Sequence, residues 1–180
     1  MECSPQHIIL MKYGVHASEQ LDSIMSRKIA EIDAVGNMFW GYSGTLCHPT
    51  NQVQEYLRQI PKDEKLYLLL SETKSPNHSI ADEKRQFSKD GVHWIPIPDN
   101  IRVVGSKYAL VCTSLVETEM YLNTSDYQIS VGPSAGKRLN NYFRCRVDKA
   151  CATYDKSSDS IPSNVKISWI AEVVDAVFVR

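Results

Sequence analysis

The chain has 180 residues, 43% of them hydrophobic and 23% charged, a composition of globular domains rather than of disordered or fibrous chains. Its 20 Lys and Arg against 21 Asp and Glu give a formal net charge of −1, so no global field draws it onto nucleic acid, and any phosphate binding has to come from a local cluster. The strongest apolar runs, 66–70 and 173–179, are short and interrupted, well below the roughly 18 residues of a membrane span.

The first residues carry Glu2, Pro5 and His7 ahead of the apolar 8–11, without the basic lead, long apolar segment and small-residue cleavage site of a secretory leader. Five cysteines, at 3, 47, 112, 145 and 151, form an odd set with no Cys-x-x-Cys pair, which argues against a disulfide framework and a structural zinc. The expectation is a soluble, reduced, cytoplasmic protein with no membrane association.

Residues 6–13 read as a strand closed by Gly14, and a helix follows from His16 or Ser18. Leu21, Ile24, Met25, Ile29 and Ile32 recur at spacings of three and four, which predicts a buried stripe, with Asp22, Ser26, Arg27 and Glu31 toward solvent and Gly36 just past the end. Residues 38–40 read as a buried strand and 41–45 as a sharp loop. Pro49 then opens a second helix with Val53, Tyr56, Leu57 and Ile60 facing inward. A further buried strand covers 66–70, and the polar 71–86 read as an exposed loop excursion.

Asp90-Gly91 marks a turn between Phe87 and a strand over 92–97, which Pro96 and Pro98 confine to a sheet edge. Residues 101–104 and 107–112, separated by Gly105-Ser106, predict a hairpin. Short strands at 120–122 and 127–131 precede a glycine segment leading into a third helix over 137–152, with Leu139, Tyr142, Phe143, Val147 and Ala150 inward. Residues 165–180 alternate as a strand with a change of phase near 171–173, the mark of a bulge or a turn. This order of elements predicts an α+β (mixed α/β) single domain over residues 1–180, with a mixed, mostly antiparallel sheet and about three helices packed on it.

The stretch 38–49, Met-Phe-Trp-Gly-Tyr-Ser-Gly-Thr-Leu-Cys-His-Pro, is the leading site candidate. Gly41 and Gly44 leave backbone N–H groups unshielded, Ser43 and Thr45 add hydroxyls, and Trp40 and Tyr42 offer rings to a base. Ahead of a helix start, such a loop suits a phosphate or carboxylate. Its plain alternative is a tight strand-to-helix turn.

A second segment, 132–138, reads Gly-Pro-Ser-Ala-Gly-Lys-Arg, with three residues between its glycines and Arg138 after the lysine. The phosphate loop of nucleoside triphosphatases needs four, then Lys followed by Ser or Thr, so that motif is absent. Ser134, Gly136, Lys137 and Arg138 nevertheless place anion donors at a helix start. Arg144, Arg146 and Lys149 extend the cationic run, with Asp148 as its acid, a composition suited to phosphate oxygens. A solvated face with an Arg144–Asp148 pair reads equally well.

Cys47 beside His48 invites a nucleophile–base reading, but adjacent residues seldom face one another. Cys47 therefore reads better as a buried thiol, and His48 as a helix-start polar group or ligand donor. His16, at the end of the first strand, is the other candidate for a general base. The histidines at 7, 16, 48, 78 and 93 form no i,i+4 pair, and no His-Glu-x-x-His, Gly-x-Ser-x-Gly or Rossmann fingerprint occurs, so neither a metal nor a cofactor is expected.

These features predict a binding protein for a phosphorylated small molecule, foremost a nucleotide or nucleotide-derived signal that it senses or sequesters. Its ligand-binding residues would be Trp40, Gly41, Tyr42, Ser43, Gly44, Thr45, His48, Ser134, Gly136, Lys137, Arg138, Arg144, Arg146 and Lys149. The alternatives are a metal-independent transferase or hydrolase acting on a nucleotide or nucleic acid, and a protein-interaction or homo-oligomeric module. Nucleic acid itself is not the favoured partner.

Overall fold

The computed structural model describes residues 4–43, 48–76, 78, 80–143, 147–156 and 161–180. Strand β1 (His7–Tyr13) is followed by helix α1 (Leu21–Val35), strand β2 (Met38–Tyr42), helix α2 (Thr50–Gln59) and strand β3 (Leu66–Glu72). Strands β4 (Gln86–Ser88), β5 (Ile95–Pro96), β6 (Tyr108–Cys112) and β7 (Val116–Asn123) come next, then a 3-10 turn (Thr124–Asp126) and β8 (Tyr127–Ile129). A short helix α3 (Leu139–Tyr142), strand β9 (Lys149–Tyr154) and the long strand β10 (Asn164–Val179) complete the chain.

Among the described residues the ten strands form one mixed sheet along the path β2-β6-β10-β3-β1-β9-β8, with β4, β5 and β7 off that path. Strands β1 and β3 pair in parallel, and the other ladders are antiparallel. This is the expected α+β architecture. The apolar runs of β1 and β3 are continuous because both faces of these strands are covered. Ile9, Tyr13, Leu66, Leu68 and Leu70 pack with α1 and α2 on one face, while Ile8, Leu10 and Leu69 pack with Leu122, Tyr127 and Leu139 on the other.

Strand β10 spans 16 residues because it serves several partners in turn: β7, β3, β6 and β4. Its ladder shifts register between Val173 and Asp175, with a second irregularity between Ile167 and Trp169. A bulge of this kind moves the inward set of side chains from one parity to the other. That accounts for the change of phase in the sequence.

Helix α1 ends at the expected glycine, whose left-handed φ of 80° lets its N–H reach the Ile32 carbonyl at 2.8 Å. Four of its five expected inward residues, Leu21, Ile24, Met25 and Ile32, pack on the main apolar cluster, and the buried face extends further than expected on one side. Lys28 and Glu31 are buried at 4% and 1% exposure, whereas Ile29 is 38% exposed. That flank is buried because residues 101–106 cross it as a strap, the Arg102 N–H bonding to Glu31 and its carbonyl to Lys28.

Three further expectations are corrected. Residues 101–104 form no hairpin with 107–112: Ile101 and Val103 insert into a third apolar cluster with Phe39, Ala109 and Val177. The strap's backbone bonds go instead to residues 82–85, as in Lys84 N–H to the Val103 carbonyl at 2.8 Å and Gly105 N–H to the Asp82 carbonyl at 2.8 Å. The third helix is confined to Leu139–Tyr142, and Lys149–Tyr154 is strand β9, paired with β1 from Met11↔Lys149 to His7↔Thr153. The turn at Asp90 is present, with Oδ1 accepting from the Val92 and His93 N–H groups at 2.8 Å each. The following strand is reduced to Ile95–Pro96, at the sheet edge.

Strands β1 and β2 are four places apart in the ladder order, roughly 19 Å in a flat sheet at the usual interstrand spacing. Yet the Trp40 indole N–H points to Met11 Sδ at 3.3 Å, and the rings of Tyr13 and Trp40 lie 6.3 Å apart. The sheet therefore curls strongly and brings the ends of β1 and β2 together. Gly41 makes part of this closure possible: a Cβ there would meet Ser106 Oγ and lie 3.0 Å from Val103 Cγ1. Gly41→Ala should cost about 1–3 kcal/mol through overpacking. Urea denaturation of that variant and of Gly41→Ala/Ser106→Gly, where part of the loss should return, checks this.

Candidate functional site

Where β1 and β2 converge, the strap 101–106 and the turn 14–20 wall a cleft of about 420 Å³. Tyr13, Trp40 and Tyr42 give it an aromatic floor, and Gly41 and Ser43 continue that wall. Four cationic side chains (Lys12, Arg27, Lys28 and Arg102) and two carboxylates (Glu19 and Asp148) line it, together with His16.

The charged groups are tightly ordered. Lys28 Nζ donates to both Glu31 oxygens at 3.0 and 2.9 Å, to the Phe39 carbonyl at 2.6 Å and to the Arg102 carbonyl at 2.8 Å. Arg27 Nη1 donates to Glu31 Oε1 and to the Arg102 carbonyl, each at 3.0 Å, and the Arg102 backbone N–H returns a bond to Glu31 Oε1 at 3.1 Å. Helix α1 thus holds the strap through a buried ionic network. Burial pushes the Lys28 ammonium down to about 8, with the Glu31 carboxylate opposing that fall.

On the cleft side, Arg27 Nε and Nη2 donate to Glu19 Oε1 and Oε2 at 3.0 and 2.7 Å. Arg102 Nη1 approaches Glu19 Oε2 at 3.5 Å. The Arg27 hydrogen bonds hold the Glu19 carboxyl below its ordinary range. His16 Nε2 donates to the Val104 carbonyl at 3.1 Å, tying the turn to the strap.

The residues expected from the sequence divide among several places. Trp40, Gly41, Tyr42, Ser43 and His16 line the cleft. Gly44, Thr45 and Cys47, and likewise Arg144 and Arg146, lie outside the described residues. His48 sits beside the cleft wall rather than in it: Nδ1 is 3.1 Å from Gln52 Oε1, and the ring stacks on Tyr142. Burial lowers its pKa, with the Gln52 hydrogen bond opposing.

Lys149 is buried, with Nζ 3.0 Å from the centroid of the Tyr42 ring and donating to the His48 carbonyl at 3.3 Å. It therefore reaches the cleft wall from behind. Ser134, Gly136, Lys137 and Arg138 form a turn folded back on β8 and β9. The Gly136 N–H donates to the Ile129 carbonyl at 2.9 Å, and Arg138 Nη2 pairs with Asp155 at 3.0 Å. These four residues are not in the cleft lining.

Sequence reasoning missed Lys12, Glu19, Arg27 and Arg102. The spacing of Arg27 and Glu31 at i,i+4 was a visible signal, but it reads as a solvated pair until the strap covers it. The described cysteines, Cys112 and Cys151, are buried, and burial pushes both thiols up to about 12, which keeps them protonated. No metal-ligating cluster occurs among the described residues, and none of the described helices is long and apolar enough to cross a membrane. Comparison with protein-family models, curated proteins and solved structures found no match.

Removing one partner of the buried network should be costly. Lys28→Met leaves Glu31 with a poorer set of donors and should lose about 3–5 kcal/mol, only part of it recovered in Lys28→Met/Glu31→Leu, where Arg27 and the Arg102 N–H lose their acceptor. The pH dependence has a definite sign. The folded protein releases the Lys28 proton near pH 8 and the unfolded chain nearer its ordinary value of 10.5, so this position's contribution to stability rises with pH between those values. Thermal unfolding from about pH 8 to about pH 10 should show the wild type gaining on Lys28→Met.

Proposed function

We propose that this chain binds a phosphorylated small molecule, foremost a nucleotide or nucleotide-derived signal, in the cleft between β1 and β2, and senses or sequesters it. The observation that carries this reading is the convergence of Lys12, Arg27, Arg102 and His16 above an aromatic floor in one cavity. Guanidinium groups suit phosphate oxygens through paired N–H donors, and an aromatic floor suits a base or another flat ring. The volume lies within the about 300–1,000 Å³ typical of small-molecule sites.

His16 supports a second reading, a metal-independent transferase or hydrolase, because it is a histidine in the cleft and a general base must reach its substrate. Its donated hydrogen bond to a strap carbonyl favours a structural role and hence the binder. Chromatography of nucleotides after prolonged incubation separates the two: the binder returns them unchanged.

Calorimetry against a panel of nucleoside mono-, di- and triphosphates and cyclic nucleotides tests the reading. Binding at one site per chain is expected, weakened at least tenfold by Lys12→Glu and by Arg102→Glu and unaffected by Lys137→Glu. Absence of binding across the panel, or binding in the two cleft variants as tight as in the wild type, would overturn it.

A further inference from the structure

The cationic end of the cleft already holds a carboxylate. Glu19 presents both oxygens to the Nε/Nη2 edge of Arg27, the edge that reads carboxylates and phosphates in the paired, two-donor manner, and one of them also faces Arg102. The turn that delivers it is unusual. Ala17 and Ser18 are consecutive non-glycine residues with φ of 49° and 63°, a region such residues adopt sparingly and mostly where the surroundings impose it. Reciprocal backbone bonds between His16 and Glu19, at 3.2 and 2.8 Å, close that turn on the cleft rim.

Neither the Arg27 side chain nor the Arg102 backbone depends on Glu19 for its position. Arg27 is anchored through Nη1 to Glu31 and to the Arg102 carbonyl. Arg102 is anchored through its own N–H and carbonyl to Glu31 and Lys28. Taking Glu19 away leaves the donor edge of Arg27 in place and facing the cleft, beside the half-exposed guanidinium of Arg102. The preorganised Arg27 edge needs little rearrangement to accept another anion, and the Arg102 guanidinium, 4.0 Å from Glu83 Oε1, lies beside it.

We infer that Glu19 is an internal occupant of the cleft's anion site, and that the phosphate group of the ligand enters by displacing its carboxylate from Arg27 and Arg102. The inference rests on the ligand class proposed above and adds the anion-binding residues and the group that competes for them. Release of the turn 16–19 couples occupancy of the cleft to a change at its rim. Affinity is set by the difference between the phosphate's contacts and those of Glu19, so weak anions fail to open the site and a multiply charged phosphate succeeds.

Inorganic pyrophosphate is the probe, titrated by calorimetry into the wild type, Glu19→Gln, Glu19→Asp and Glu19→Gln/Arg102→Gln, with circular dichroism confirming that each is folded. Glu19→Gln should bind at least tenfold more tightly than the wild type, and Glu19→Asp, whose shorter side chain withdraws the carboxylate, should gain by a smaller factor. Adding Arg102→Gln should remove the gain. If Glu19→Gln unfolds, the Glu19→Asp gain decides alone. Nucleotide binding by the wild type with no gain in either Glu19 variant, or a gain that survives Arg102→Gln, overturns the displacement while leaving the proposed function standing. No binding of pyrophosphate or of any nucleotide by any of these proteins overturns both.

Discussion

The ammonium of Lys28 lies out of water between a helix, a strand and a strap, bonded to the Glu31 carboxylate and to the carbonyls of Phe39 and Arg102. An ion in such a place is costly unless its donors and its charge are both matched. Here the matching groups come from three separate segments, so the charge can be accommodated only when all three are in place. The same network fixes Arg27 and the backbone of Arg102, and through them the wall of the cleft. Apolar burial supplies the bulk of the folding free energy, while this ionic junction decides where the strap lies.

The curl of the sheet supplies the other half of the site. Strands β1 and β2 are remote in ladder order but touch through Met11, Tyr13 and Trp40, which leaves their ends and the adjoining loops to frame a cavity. Aromatic side chains form the floor because they belong to the main apolar cluster, and charged groups form the rim because α1 turns its Arg27–Glu31 flank toward the strap. A polar rim over an apolar floor orients a ligand that is charged at one end and flat at the other.

Much of the fold was legible in the sequence wherever a pattern had one physical cause. The capping glycine of α1, the parity change in β10 and the Asp90 turn each follow from local chemistry. The third helix failed because Leu139, Tyr142, Phe143, Val147 and Ala150 fit a helical stripe, while Ala150 and Ala152 equally fit a strand beside β1. Pairing with Ile8 and Leu10 decided the matter, and such long-range pairing leaves no local trace. The strap was misread for a related reason: Ile101 and Val103 are strand formers that bury side chains without joining a ladder.

For the site, Trp40, Gly41, Tyr42, Ser43 and His16 were legible because a glycine-rich strand end beside aromatics is a local feature. Arg27 and Arg102, 75 residues apart, meet only in three dimensions, and each by itself reads as a solvated cation. Glu19 was hidden by the left-handed turn that aims it, which no glycine announces. The most direct test of the account is an NMR titration of the isotopically labelled protein with inorganic pyrophosphate. The account predicts shifts centred on the Arg27 Nε–H resonance and on the amides of residues 14–20 and 101–106. Shifts confined to 132–138, or none at millimolar pyrophosphate, would contradict it.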